Sequence, residues 1–175
     1  MSRKIGFYRK SSRSNQRLVK LFNELQKDRS QTHWEDANSL YPQRIDWKEK
    51  QLRREVLKML KKGEIRTSDD FYRAAMLFQH RSNFKSYALA VALAAASSHL
   101  GEAWGRSLYA MALDRFLLSI GQKQHFGTNF EKVGRNWRLA SYNKKTSDYE
   151  RQFYLVEPMK RILQEIKKLN RTSGR

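Results

Sequence analysis

Three observations predict an all-α fold: apolar residues recur at helical spacing along most of the chain, proline is limited to Pro42 and Pro158, and glycine is sparse. The expected architecture is a single helical domain over residues 14–169, with about six helices built on central antiparallel helical hairpins. A basic flexible arm (1–13) precedes it and a frayed tail (170–175) follows. Nine Phe, eight Tyr and four Trp in 175 residues supply enough apolar bulk for one core.

The first helix is expected from about Asn15 to Lys27, where Leu18, Leu21, Phe22 and Leu25 fall on one face. Residues 28–41 lose that period, and Pro42 disfavours helix in the residue before it. A second helix is expected from about Asp46 to Lys62, opened by a capping-box pair, Asp46 and Glu49, and stopped by Gly63. Its inward stripe is Leu52, Val56, Met59 and Leu60. Thr67 or Ser68 caps a third helix that carries Phe71, Ala75 and Phe78 inward and reaches Gln79-His80 in its last turn. Ser82-Asn83 opens an Ala-rich fourth helix ending at Gly101, and a fifth runs from about Glu102 to Ile120 with Ala110, Leu113, Leu117 and Ile120 on one face. Gly134-Arg135-Asn136 is placed to turn a short β-hairpin near 131–142. The segment from Thr146 to Leu169 is again helical, with Pro158 either breaking it or starting a new helix whose buried side is Met159, Ile162, Leu163 and Ile166.

The net charge of +19 is unevenly spread. Residues 1–30 and 131–175 carry +7 each and residues 41–66 carry +5, whereas residues 67–130 carry only +2 and residues 31–40 carry −2. A positive field on the flanks attracts polyanions. With no cysteine, disulfides, thiolate zinc sites and cysteine nucleophiles are excluded. The basic N-terminus lacks a following apolar run, and no stretch is apolar enough to span a bilayer, so a cytoplasmic protein with no membrane partner is expected.

Polar groups interrupt the least charged part of the chain: Gln79-His80, Asp114-Arg115, and Gly121-Gln122-Lys123-Gln124-His125-Phe126-Gly127-Thr128-Asn129. His80 at a helix carboxyl end is placed where the helix dipole favours imidazolium. Asp114, between apolar neighbours, either fixes helix register through a buried pair or belongs to a site. Gly127 implies a special backbone angle or close approach. Candidate catalytic residues are therefore Gln79, His80, Asp114, Arg115, Gln124, His125 and Thr128. No metal site and no cofactor is expected: there is no HExxH, Walker or dinucleotide pattern, and His80, His125 and Asp114 could meet only through tertiary convergence.

The segments AAMLFQH (74–80), YAMALDR (109–115) and GQKQHFGTN (121–129) resemble, in order and spacing, the bacterial domain of unknown function 6624 family. That family carries a Gln-His motif, an Asp-Arg about 35 residues later and a Gly-x-x-Gln-x-Tyr/Phe-Gly-Thr-Gln segment. Here Asn129 stands in place of the final Gln. The resemblance implies an all-helical domain with a shared polar site and no established activity.

The leading functional expectation is a nucleic-acid-associated protein that contacts RNA or DNA phosphates without strong sequence specificity. The contacts are expected from Lys and Arg of the arm, the second helix and the C-terminal helix; the candidates are Arg3, Lys4, Arg9, Lys10, Arg13, Arg53, Arg54, Lys61, Lys62, Arg135, Arg138, Lys144 and Lys145, with Trp137 and Tyr142 for stacking. The alternatives are a hydrolase or transferase acting on an anionic substrate at the polar motifs, and a helical adaptor for a protein partner.

Overall fold

The computed structural model describes residues 13–30, 41–80 and 83–172, side chains from 46 onward in the second of these stretches. The described residues form seven helices and one two-stranded sheet: α1 (Gln16–Ser30), α2 (Tyr41–Lys61), α3 (Ser68–Phe78), α4 (Phe84–His99), α5 (Trp104–Ser119), β1 (Phe130–Val133), β2 (Asn136–Leu139), α6 (Asp148–Phe153) and α7 (Met159–Thr172). The fold is all-α with a short antiparallel hairpin, in register Phe130 to Leu139 and Val133 to Asn136.

Helices α1 to α5 pack as a stack in which α3–α4 and α4–α5 make the most extensive contacts. Leu18, Phe22 and Leu25 of α1 and Leu52, Val56 and Met59 of α2 close over Ala74, Ala75, Leu77 and Phe78 of α3. Burying the apolar face of each helix supplies most of its stability, because helices of this length are marginal alone. The amino end of α1 is tied to α3, where Asn15 N donates to Asp70 Oδ1 at 2.7 Å. Asp70 Oδ2 accepts from the amides of Arg66 and Thr67, and Thr67 caps α3 in a reciprocal capping box with Asp70.

Two expectations about α2 are corrected. The helix begins at Tyr41, so Pro42 lies in its first turn rather than ending an extended segment. Proline suits that position, since the first-turn amides have no intrahelical acceptor to lose. Glu49 is not a capping residue; it is 9% exposed and ion-paired with Arg29 and Arg53.

The buried face of α5 also differs from the expected one. Gly105, Leu108 and Ala112 face α4, while Leu113 and Leu117 are half-buried and Ile120 is 46% exposed. Close helix approach is the reason, since a Cβ at Gly105 would lie 2.6 Å from Ser98 N. Small residues therefore occupy the contact and the leucines lie beside it.

Beyond α5 the chain forms a smaller layer. α7 does start after Pro158, and Ile162 and Ile166 are its buried residues; Met159 is half-buried and Leu163 is exposed. α7 packs on β2 and reaches Thr172. Asn170 holds β2 with both ends of its amide, accepting from Trp137 N at 2.6 Å and donating to Trp137 O at 2.9 Å.

Candidate functional site

Asp114 is the organising residue of the loop that follows α5. Its carboxylate is fully buried. Oδ1 accepts from the amides of His125 (2.6 Å) and Phe126 (2.8 Å), and Oδ2 from the amide (2.9 Å) and hydroxyl (2.8 Å) of Thr128. Four donors replace the water that a buried carboxylate loses. Gln124, equally buried, does the same for the hairpin: Oε1 accepts from Asn129 N, and Nε2 donates to Asn129 O and Ala140 O. Gly127 completes the loop at φ 85°, where an added Cβ would meet Met159 Cε at 3.1 Å. Asp114, Gln124 and Thr128 thus spend their hydrogen bonds on shaping the loop.

Arg115 leaves the next face of α5 and joins this loop to α3. Its Nη1 donates to Gln79 O (3.2 Å) and Gln79 Oε1 (2.8 Å), and its Nε reaches Asn129 Oδ1 at 3.3 Å. The three motifs therefore share one hydrogen-bonded network. All of Arg115's hydrogen-bond partners are neutral. Burial accordingly lowers its pKa. With Asn129 it lines an open groove bordered by Tyr87, Leu118, Ser119, Phe130 and Glu131.

A second charged group lies at the same end of the stack, where α1 and α3 finish and α2 begins. Arg29 Nε donates to Glu49 Oε1 at 3.0 Å, Arg29 Nη2 contacts the same oxygen, and Arg53 Nη1 donates to Glu49 Oε2 at 2.9 Å. Burial pushes the Glu49 carboxyl up, but the two guanidinium groups outweigh it and hold its pKa below the usual value. Arg53 is 5% exposed, and its Nη2 is buried without a hydrogen-bond partner.

His80 feels the charges of both groups. It follows the α3 cap residue Gln79 and is exposed. Desolvation, then the charges of Arg29 and Arg115, with a smaller push from Arg53, bring its pKa down to about 4. The expectation that the helix dipole favours imidazolium is thus corrected: desolvation of the ring and three nearby guanidinium groups outweigh a partial helix charge. The ring is neutral at pH 7.

His125 lies elsewhere in the loop, with Nε2 2.7 Å from Glu150 Oε1 and its ring edge-on to Phe126. His99 is exposed at the end of α4, and His33 lies outside the described residues. Among the described residues, no three His, Asp or Glu side chains gather as metal ligands would.

The expected phosphate contacts divide into several groups. Arg54, Lys61, Lys62, Arg135, Lys144 and Lys145 are exposed, as is Arg13 at the start of the described chain. Arg138 is exposed but paired with Glu131 at 2.8 Å. Arg53 departs from the expectation of a surface contact, because Glu49 draws it inward. Trp137 is half-buried with Lys132 over its ring, Tyr142 is half-buried beside Gln124, and Arg3, Lys4, Arg9 and Lys10 fall outside the described residues.

Sequence reasoning missed Arg29 and its pairing with Glu49, 20 residues away, and it named the C-terminal helix as a source of phosphate contacts without naming the residues of its outer face. Lys160, Gln164, Lys167 and Arg171 are spaced i, i+4, i+7, i+11 there, opposite Ile162 and Ile166. The helical period of the tail was the available signal. No family model, curated protein or solved structure matches this chain.

Proposed function

We propose that this protein binds nucleic acid through its phosphate backbone, using basic stripes on α2 and α7, without reading base sequence. The observation that carries the reading is how the acids are used. Glu49, Glu55, Asp69, Glu131, Asp148 and Glu165 already pair with basic side chains, and Asp70 and Asp114 are spent on backbone amides. Exposed cations left over include those on outward faces of α2 and α7, and also Lys123, Arg135, Lys144 and Lys145 on loops.

On α7 the stripe of Lys160, Lys167 and Arg171 runs about 16 Å along the axis, and among the described residues none of the three has an acidic partner. On α2, Lys50, Arg54 and Lys61 form a similar stripe opposite Leu52, Val56 and Met59. Trp104, 63% exposed, shares a groove with Arg161 near the start of α7 and offers a stacking surface. Phosphate contacts of this kind fix position and carry no base information.

A salt titration of binding to duplex DNA and to single-stranded RNA tests this. Six phosphate contacts give a log–log slope of about −5 on duplex DNA, through counterion release. Reversing Lys160, Lys167 and Arg171 to Glu reduces that slope by at least about 2.7, or 0.9 per lost contact, while circular dichroism shows an intact fold. Weak binding with no salt dependence overturns the reading.

A further inference from the structure

We propose that the groove between the start of α5 and the α6–α7 loop receives an unpaired base, so that the nucleic acid bound along α7 is single-stranded. This rests on the backbone-binding reading of the α7 stripe and names the form of strand that the stripe takes.

Trp104 of α5 lines the groove together with Leu155, Val156 and Pro158 of the loop, and Glu157 and Arg161 complete its polar side. At about 560 Å³ it has room for one base and its sugar. Trp104 is 63% exposed, although tryptophan is among the residues most buried on average. Its free ring face is a platform for a planar partner.

Leu155 supplies the second observation. Among the described residues it is the one non-glycine residue at positive φ, at 54°. It stands just past the end of α6 in a Schellman turn, where Leu155 N donates to Gln152 O at 3.0 Å and Val156 N to Arg151 O at 2.8 Å. Glycine is ordinary at that position, because a Cβ is strained in the left-handed region. Leu155 is 42% exposed, so burial offsets the strain only in part. Glycine would serve the turn better; the leucine serves the groove, as its apolar lining.

The groove is formed before any ligand arrives. Tyr154 stacks on Tyr109 of α5 with ring centroids 5.4 Å apart, and the Arg106 guanidinium lies 5.4 Å from the centre of the Phe153 ring. These contacts anchor α6 to α5 and fix the loop that follows it, so little order is lost on binding.

A duplex hides both faces of its bases in the stack and has nothing to place here, whereas a single strand offers a π face at each nucleotide. Charge orients that strand. Arg161 lies on the groove and Lys160, where the α7 stripe begins, precedes it in the chain, so phosphates meet cations from the groove onward. Glu157 repels a phosphate and accepts from an exocyclic amine, which favours the base as the group that enters.

The experiment titrates the full chain with single-stranded oligo(dA), with a strand of equal length bearing abasic sugars, and with duplex DNA, over a range of salt, by fluorescence anisotropy. The abasic strand keeps its phosphates and should bind about tenfold more weakly than oligo(dA). Trp104→Ala should weaken oligo(dA) binding by about tenfold, with duplex affinity and the salt slope unchanged because no phosphate contact is lost. Trp104→Phe should restore most of the affinity. Arg161→Gln takes about 0.7 from the slope on oligo(dA). Leu155→Gly should raise the thermal midpoint while weakening oligo(dA) binding, a combination that a damaged fold cannot give. Equal affinity for oligo(dA) and the abasic strand, or Trp104→Ala without effect on oligo(dA), overturns the proposal; a steep salt slope in the same titrations leaves the backbone reading standing. Binding without salt dependence removes both. Poly(Glu,Tyr) is the control for an acidic protein partner, and Trp104-dependent binding of it that is tighter than that of oligo(dA) also overturns the proposal.

Discussion

The two ends of the helical stack bury polar groups in opposite ways. At the end where α1 and α3 begin, Asn15, Thr67, Asp70 and Ser97 are joined to backbone groups, and Asp70 alone accepts from three amides. At the other end, Arg115 faces neutral acceptors and Arg53 keeps a buried donor unused. The first end is built for stability: removing any member strands its partners. The second holds its charges through long-range links, Arg115 to neutral groups of α3 and the loop and Arg29 and Arg53 to the one carboxylate of Glu49.

Substitution should reveal that difference most strongly in stability. Asp70→Ala leaves three buried or half-buried amides without an acceptor and should cost about 3–4 kcal/mol. Arg115→Gln strands the acceptors of buried Gln79 but also removes a desolvated cation without an acid, so the net loss should be smaller, about 1–2 kcal/mol. Urea unfolding monitored by circular dichroism measures both, and equal losses at the two ends would break the contrast.

The pH dependence sharpens it. Folding disfavours imidazolium at His80, so the folded pKa is about 4 against an ordinary 6.5. The unfolded chain then binds more protons between those values. Stability is therefore full above pH 6.5 and falls as pH drops toward 4. Partial exposure of the residue screens the effect to about 1 kcal/mol. His80→Gln should flatten unfolding curves between pH 6.5 and 5, a window above the Glu49 titration. An unchanged slope would place the cations farther from the ring.

The smallest effect concerns Asn129. Its side chain makes only long contacts, 3.3 Å to Arg115, 3.5 Å to Gln124 and 3.2 Å to Thr128. One added methylene in Asn129→Gln brings the amide nearer Arg115 and should shift stability by within about 0.5 kcal/mol. An Arg115 side-chain exchange rate that does not slow by NMR would count against that contact.

Much of the stack was legible because its signals are local. The α3 and α4 caps, Thr67 and Asn83, precede apolar runs and hold the bonds their residue types suggest. Pro42 was misread because a proline is compatible both with ending an extended segment and with opening a helix. The α5 face was misread because hydrophobicity favours Leu113 and Leu117, whereas packing distance favours Gly105 and Ala112. At the site, the order of the polar motifs pointed to one region. It could not reveal that Asp114 serves backbone amides, which have no side-chain signature, or that Arg29 meets Glu49. The i, i+4 spacing of Glu49 and Arg53 was the only local trace of that cluster.

The reciprocal bond between Asn170 and Trp137 carries a consequence for self-association. A two-stranded ribbon leaves both of its outer edges able to recruit a strand from another molecule. On β2, the side-chain amide of Asn170 occupies the Trp137 amide and carbonyl as a third strand would, with one donor and one acceptor. α7 therefore blocks one route to edge-to-edge aggregation with a single residue, leaving its basic face turned outward and free of that task.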